Sequence, residues 1–279
     1  MKRNYGCGSF ILVLIVTILV ILIGGYFIFQ SYISPYLNNA DVQELYQIYT
    51  DLSEPVNESD FVSNIPDTAD YNSAKNSLIA GGIAIFDESG EIDPALIEES
   101  NFYPTNDITL TDQELASMIN AFIGNPLNLE KIGITEENIG GLNTQVLEVV
   151  IEKQNETTVK LSFVVKLDMT NIKMQLGFFG FFIPDTLYVE NENILQLTEG
   201  GYSLIDGSVT VNNLDETKNE RILEILTQVL KNNDEAMTKE KLEESIGQLI
   251  LSGIQGLSDT FHTTISFEQN AITFHPNTI

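Results

Sequence analysis

The sequence is poor in the residue types that usually carry disulfides, metal sites and catalysis. Its single cysteine, Cys7, lies near the N-terminus, so the remainder of the chain can form no disulfide of its own and offers no thiolate ligand. There are only two histidines and no tryptophan, and no G-x-S-x-G, H-E-x-x-H, P-loop or Rossmann glycine motif is present. We therefore expect neither an enzyme nor a metal or cofactor site, and a fold that depends on its hydrophobic core.

Positive charge is also scarce. The chain has 13 Lys and Arg residues against 40 Asp and Glu residues, which gives a net charge of −27 at pH 7, and every acidic residue follows position 40. A surface of this sign repels nucleic acids and anionic lipid headgroups, so we expect neither as a surface partner. Such a surface could attract divalent cations, but a solubilising role is the simpler interpretation.

A long uncharged run near the N-terminus predicts a membrane span. The 20 residues from Phe10 to Phe29 carry no charge. A helix of that length is about 30 Å long, which is the thickness of the bilayer core. Lys2 and Arg3 precede the run and the next basic residue is Lys75, so the positive-inside rule places the N-terminus in the cytoplasm. A cleaved signal peptide is the alternative, although its apolar core is usually only about 7–15 residues long.

This topology divides the chain into four parts. Residues 1–9 form a cytoplasmic tail, residues 10–29 the transmembrane helix, residues 30–72 a juxtamembrane helix and linker, and residues 73–279 an extracytoplasmic domain. The linker is predicted from the polar, acidic stretch between Ser53 and Tyr71, which contains two prolines. We expect a single-pass protein of the cell membrane with its bulk outside.

The outer domain has the pattern of an α+β fold, with an antiparallel sheet packed on amphipathic helices. A capping box, Thr111 with Glu114, predicts the start of a helix whose apolar stripe ends at Ile123. Alternating apolar residues predict a long hairpin, and the inward row of its second strand is Val159, Leu161, Phe163, Val165 and Leu167. Further strands are predicted at 83–86, 186–189, 194–197, 209–211, 261–267 and 271–275, and further helices at 74–80, 216–231 and 238–257.

Few residues are of the types that support catalysis or metal binding. A turn at residues 268–270 would bring His262 and His275 near one another on paired strands. Neither further metal ligands nor a serine for a hydrolase is indicated, so two ordinary strand histidines are the simpler interpretation. The acidic segment from Asp87 to Glu98 resembles a calcium-binding loop, yet Ile92 stands where that loop requires glycine, which favours a solvated turn.

The most unusual segment is LGFFGFFIP at residues 176–184, which holds four phenylalanines among flexible glycines. It is too apolar for an exposed loop. Either these side chains pack into the core of the sheet, or they line a cavity or contact a membrane.

The order of the elements resembles a known family. The capped LTDQEL helix at 110–115 is followed by the long hairpin, by GFFGFFIPDTLYVENENILQL at 177–197 and by a closing ISFEQNAITFHP hairpin at 265–276. Over residues 105–276 this order resembles the YpmS-like family of single-span Gram-positive membrane proteins and, more distantly, the TULIP (tubular lipid-binding) superfamily. The resemblance implies a strongly curved antiparallel sheet wrapped around a long helix, with an apolar channel for lipid.

The resemblance leads to a functional hypothesis, a membrane-anchored extracytoplasmic protein that binds a lipid or other hydrophobic ligand non-covalently. The alternative is a non-enzymatic structural or adaptor subunit that binds another protein of the cell envelope. A channel requires more inward apolar side chains than the core uses, whereas an adaptor requires a filled core and an exposed apolar patch. The residues expected to line the channel are Phe163, Val165, Leu167, Phe178, Phe179, Phe181 and Phe182.

Overall fold

A computed structural model describes residue 47 and residues 50–54, 56–62, 65–93, 95–96, 102–124, 143–176, 184–199, 201–212, 214–230 and 238–277. The predicted span Phe10–Phe29 and the four phenylalanines of the LGFFGFFIP segment lie outside this part of the chain. Among the residues described, no helix is both long and apolar enough to cross a membrane. The membrane topology therefore stays a prediction.

The described elements form an α+β fold with two antiparallel sheets, which confirms the predicted α+β class and the antiparallel pairing, whereas the strong curvature of the sheet stays a prediction. A short 3-10 turn, Glu58–Asp60, precedes the first of them. The elements are, in chain order, α1 (Thr68–Gly81), β1 (Ile108–Thr111), α2 (Asp112–Ile123), β2 (Asn143–Lys153), β3 (Thr158–Asp168), α3 (Thr170–Leu176), β4 (Thr186–Thr198), β5 (Gly201–Val211), α4 (Glu216–Leu230), α5 (Lys239–Thr260), β6 (Thr263–Glu268) and β7 (Ala271–Pro276).

The larger sheet has four antiparallel strands in the order β2-β3-β4-β5. Its register places Phe163 of β3 between Val149 of β2 and Asn191 of β4. Because side chains alternate between the two faces of a strand, the apolar row of β3 shares one face with these neighbours. We call this the inner face of the larger sheet, since its apolar side chains lie in the main hydrophobic core.

Strand β4 is longer than its sequence pattern indicated. It runs without a break from Thr186 to Thr198, whereas two short strands were predicted at 186–189 and 194–197. The prediction was wrong because the polar run from Glu190 to Asn193 interrupts the apolar alternation. In the structure these residues remain fully paired with β3 and β5.

The smaller sheet joins distant parts of the chain in the order β1-β7-β6. The predicted final hairpin is confirmed, and its turn contains Asn270 at φ 60°, a left-handed conformation that asparagine tolerates better than most residues. Strand β1 was not predicted, although it pairs with β7 over its full length. The strand predicted at 83–86 is reduced to one bridge, between Phe86 and Ile92.

Capping boxes set the starts of helices α1 and α2. In α2 the Glu114 N–H donates to Thr111 Oγ1 at 3.2 Å and the Thr111 N–H donates to Glu114 Oε2 at 2.8 Å, which confirms the predicted start. In α1 the capping residue is Asp67, so the helix begins at Thr68 rather than at residue 74. Its buried side chains begin only at Ala74, which is why the apolar pattern placed the start too late.

The residues before α1 contact the larger sheet and helix α4, and Val56, Phe61 and Val62 among them lie against the outer face of that sheet. We call residues 50–54 and 56–62 the stalk segment. Phe61 stacks on Tyr188 of β4 with ring centroids 4.7 Å apart, and Asn212 Nδ2 donates to Leu52 O at 2.8 Å. Asp51 is buried beside Lys218, whose Nζ lies 3.5 Å from its Oδ1. The division at residues 72 and 73 stays a prediction, but Phe61, within the predicted linker, has a contact that a free linker would lack.

Candidate ligand-binding site

The inner face of the larger sheet is covered by one helix at each end. Helix α2 packs on β2, and helix α5 packs on β5. Between them lies the apolar row of β3, in which Phe163 is 1% exposed, Val165 3% and Leu167 0%. These three predicted ligand-binding residues therefore share one face and one hydrophobic core. The other four, Phe178, Phe179, Phe181 and Phe182, lie outside the described residues.

Two buried asparagines interrupt this apolar face. Leu187, Val189 and Leu195 of β4 continue the apolar surface, but Asn191 and Asn193 stand between them and are buried. A buried amide is tolerated when its polar atoms are hydrogen-bonded.

Most of the polar atoms of the two asparagines have partners. Asn191 Nδ2 donates to Ser208 O at 3.0 Å. Asn193 Nδ2 donates to Leu161 O at 3.4 Å and also to Asn191 Oδ1. The orientation of the Asn193 amide follows from these contacts, because a reversed amide would turn its oxygen toward two acceptors.

The exception is Asn193 Oδ1. This atom has no hydrogen-bond partner, although the residue is 0% exposed. Leaving a buried acceptor unsatisfied costs about 1–3 kcal/mol. The second such atom among the described side chains, Ser162 Oγ, belongs to a residue on the opposite face of the sheet. Among the described residues of the inner face, Asn193 Oδ1 is therefore the buried side-chain acceptor that is left without a partner.

Helix α5 approaches this acceptor closely at a glycine. A Cβ atom added to Gly247 would lie 2.7 Å from Asn193 Oδ1 and 2.5 Å from Leu204 Cδ2. Gly207 of β5 is paired with Asn193 in the sheet, and a Cβ atom on Gly207 would lie 3.4 Å from the same oxygen. Small residues on both sides thus let the helix backbone rest directly over Asn193. Because glycine has no Cβ atom, Gly247 lets helix α5 pack closely on the larger sheet at this point.

The outer face of the same sheet is charged where the stalk segment does not cover it. Burial, followed by the neighbouring charge of Glu192, raises the pKa of Glu190, and the ammonium group of Lys160 partly offsets the increase. Lys160 in turn forms an ion pair with Glu192, and the hydrogen bond in that pair raises the pKa of Lys160. The uncovered part of the outer face therefore carries charged side chains, whereas the inner face is mostly apolar.

The remaining candidate residues do not come together as a site for a metal. Asp87 Oδ1 accepts from the Ser89 hydroxyl and from the N–H groups of Glu91 and Ser89, so the acidic segment forms a turn closed on itself, and these bonds lower the pKa of Asp87. His262 stacks on Tyr103 with ring centroids 4.6 Å apart, whereas His275 contacts other partners. No group of three or more His, Cys, Asp or Glu side chains that could hold a metal occurs in the described part of the chain.

Sequence reasoning missed Asn191 and Asn193, which the structure places at the centre of the inner face. The polar run at residues 190–193 interrupts the apolar pattern, so the sequence indicates a gap between two strands there. The spacing of the residues could have identified the two asparagines, because positions 187, 189, 191, 193 and 195 all lie on one face of a continuous strand.

Comparisons of the chain with protein-family models, with curated proteins and with solved structures give no match. The resemblance to the YpmS-like family and to the TULIP superfamily therefore stays a prediction.

Proposed function

We propose that the protein is a membrane-anchored extracytoplasmic protein that binds a lipid or another hydrophobic ligand non-covalently, between the inner face of the larger sheet and helix α5. The observation that carries the proposal is Asn193 Oδ1, a buried acceptor without a partner beside an apolar row. A ligand with an apolar chain and one hydrogen-bond donor would complement both parts of this face. The predicted span Phe10–Phe29 would hold the domain near the bilayer that supplies such a ligand.

The chemistry of the face narrows the class of ligand. Each methylene buried contributes about 0.8 kcal/mol, so long acyl chains are favoured over short ones. A donor to Asn193 Oδ1 must be an N–H or O–H group, as in the free hydroxyl of a diacylglycerol or a protonated fatty acid. The net charge of −27 works against an anionic headgroup.

Entry of a ligand requires helix α5 to separate from β5. The space above Asn193 is occupied by the backbone at Gly247 and by the side chain of Leu204. Glycine within a helix costs about 1 kcal/mol relative to alanine, and α5 contains three glycines, at 247, 253 and 256. We propose that α5 is the element that opens, because its own helical preference is weakened at the point where it covers the acceptor.

The test uses a photo-reactive acyl lipid in vesicles that hold the full-length protein. After irradiation, the cross-linked peptides are mapped by mass spectrometry. We expect cross-links in β3, β4 and α5 in addition to the span. A probe with a free hydroxyl should label these peptides about 5- to 100-fold more efficiently than its methyl ether, which corresponds to the cost of 1–3 kcal/mol for an unsatisfied acceptor.

The Asn193→Leu variant supplies the matched control. It removes the acceptor and keeps a side chain of similar size, so the preference for the hydroxyl probe should disappear while labelling of the span is unchanged. Cross-links confined to residues 10–29 would contradict lipid binding by the domain. That result would favour the alternative, a structural or adaptor subunit of a cell-envelope complex.

A further inference from the structure

Three polar side chains lie in a row on one face of the smaller sheet. Ser266 Oγ lies 2.8 Å from His275 Nε2, and His275 Nδ1 lies 3.1 Å from Asp107 Oδ2. Ser266 is in β6, His275 is in β7, and Asp107 directly precedes β1. The pairing of these strands brings the three residues to one face of the sheet, opposite the buried row that contains Ile108 and Phe274.

For the neutral imidazole of His275, the two contacts are satisfied together by one tautomer. An ionised carboxylate only accepts hydrogen bonds, so Nδ1 must carry the proton that is donated to Asp107. Nε2 of the neutral ring is then left with a lone pair and accepts the hydroxyl proton of Ser266. In this arrangement the carboxylate orients the imidazole, and the imidazole can act as general base toward the serine.

The site is open to solvent and has a further donor beside it. The side chain of His275 is 39% exposed and that of Asp107 is 61% exposed. Thr273 stands opposite Ser266 in the ladder, with Cβ atoms about 5 Å apart in such pairs. Thr273 Oγ1 lies 2.9 Å from Thr109 Oγ1, and when Thr109 donates in this pair the Thr273 hydroxyl keeps its own proton to donate. In that arrangement the Thr273 proton can stabilise negative charge that develops on a carbonyl oxygen held at Ser266.

We propose that Ser266 is a nucleophile for acyl transfer, with His275 as its general base and Asp107 as a positioning residue. The substrates are small carboxylic esters that reach the exposed face of the sheet from solvent. This activity goes beyond ligand binding at Asn193 and does not depend on it, because the two sites lie on different sheets. It also departs from the expectation of a non-enzymatic protein, since sequence patterns indicated no serine that could partner a histidine.

The reaction balances with water as the only co-reactant. Ser266 Oγ forms a bond to the ester carbonyl carbon while its proton passes to His275 Nε2 and the carbonyl π electrons move to oxygen. The carbonyl then re-forms, the bond to the leaving alkoxide breaks, and the alkoxide takes the proton from Nε2 and departs as the alcohol. Water attacks the acyl-serine by the same route, which releases the carboxylic acid and returns a proton to Ser266 Oγ.

The first experiment is labelling of the full-length protein with a fluorophosphonate reporter. An activated serine displaces fluoride from this reagent and forms a stable bond to phosphorus. We expect the label on Ser266, located by peptide mass spectrometry. The label should be absent from Ser266→Ala and should form about 10²- to 10⁴-fold more slowly in His275→Gln, which lacks the base. Ser203→Ala is the matched control, since Ser203 is a strand serine whose hydroxyl donates to Gln196 O.

The role of Asp107 is tested by rescue. Asp107→Asn should slow labelling and slow hydrolysis of a small nitrophenyl ester, and Asp107→Glu should restore part of both rates because it returns a carboxylate. Circular dichroism verifies that each variant is folded. Folded wild-type protein that carries no label on Ser266 would overturn the proposal. Equal labelling rates in wild type and His275→Gln would also overturn it, because Ser266 would then react without a general base.

Discussion

Asn120 joins helix α2 to strand β2, and its replacement offers a sharp test of the packing of the domain. Its Nδ2 donates to Val146 O and its Oδ1 accepts from Val146 N, both at 2.7 Å. Strand β2 is at the edge of the larger sheet, so the asparagine takes the place of a neighbouring strand at this residue. The register of β2 shifts directly after Val146, which makes this the point where the edge most needs a partner.

The expected cost of Asn120→Ala follows from these two bonds. Val146 is 0% exposed, so neither its N–H nor its C=O could turn to water once the amide is gone. At about 1–3 kcal/mol for each of the two unsatisfied groups, the free energy of unfolding should fall by about 2–6 kcal/mol. A loss of that size is a large part of the total stability of a domain, which is about 5–15 kcal/mol.

The assay is urea unfolding followed by circular dichroism. Asn106→Ala is the matched control, because Asn106 is exposed and its Nδ2 donates to Ala80 O at 3.3 Å. The control should change the free energy of unfolding by less than about 0.5 kcal/mol. Equal unfolding midpoints for the two variants would refute the contact between α2 and the edge of β2, and with it the placement of that helix.

Three further predictions concern the stalk segment, the acidic face and the topology. Phe61→Ala should lower the free energy of unfolding by about 1–2 kcal/mol, because the stack of Phe61 on Tyr188 is lost; an unchanged urea midpoint would mean that the stalk segment does not hold to the sheet. Glu190→Gln should stabilise the protein at neutral pH and have little effect below about pH 4, because a carboxyl whose pKa is raised on folding lowers stability only where it is ionised. Equal gains at both pH values in urea unfolding would contradict that explanation. External protease on intact cells should remove the domain, whereas protection until lysis would reverse the predicted orientation.

The fold class could be predicted because local patterns in the sequence indicate its helices and strands. The capping box at Thr111 and the alternating row from Val159 to Leu167 each depend on neighbouring residues, and both are confirmed. Strand β1 was missed because four residues, Ile108–Thr111, carry too little pattern to distinguish a strand from the approach to a helix. The segment is a strand because it pairs with β7, which is distant in the sequence.

The candidate sites were harder to predict than the fold. Phe163, Val165 and Leu167 could be assigned to one face from their spacing alone. Asn193 could not be recognised, because its importance lies in a missing partner for one atom and in the approach of Gly247, and both depend on tertiary structure. Ser266 had no motif around it, since the residues it meets come from other strands.

The pairing of β1 with β7 also bears on the order in which the domain folds. Ile108 stands opposite Phe274, so the smaller sheet closes a very long loop, and the entropy of closing loops makes such pairings slow to form. In the predicted topology the chain crosses the membrane with β1 far ahead of β7. In that topology the sheet cannot assemble until β7 has followed β1 across, and Ile108 and Leu110 stay unpaired until then. A chain arrested or clipped before Ala271 would present an unpaired apolar strand, a mark by which quality-control proteases could recognise an unfinished molecule.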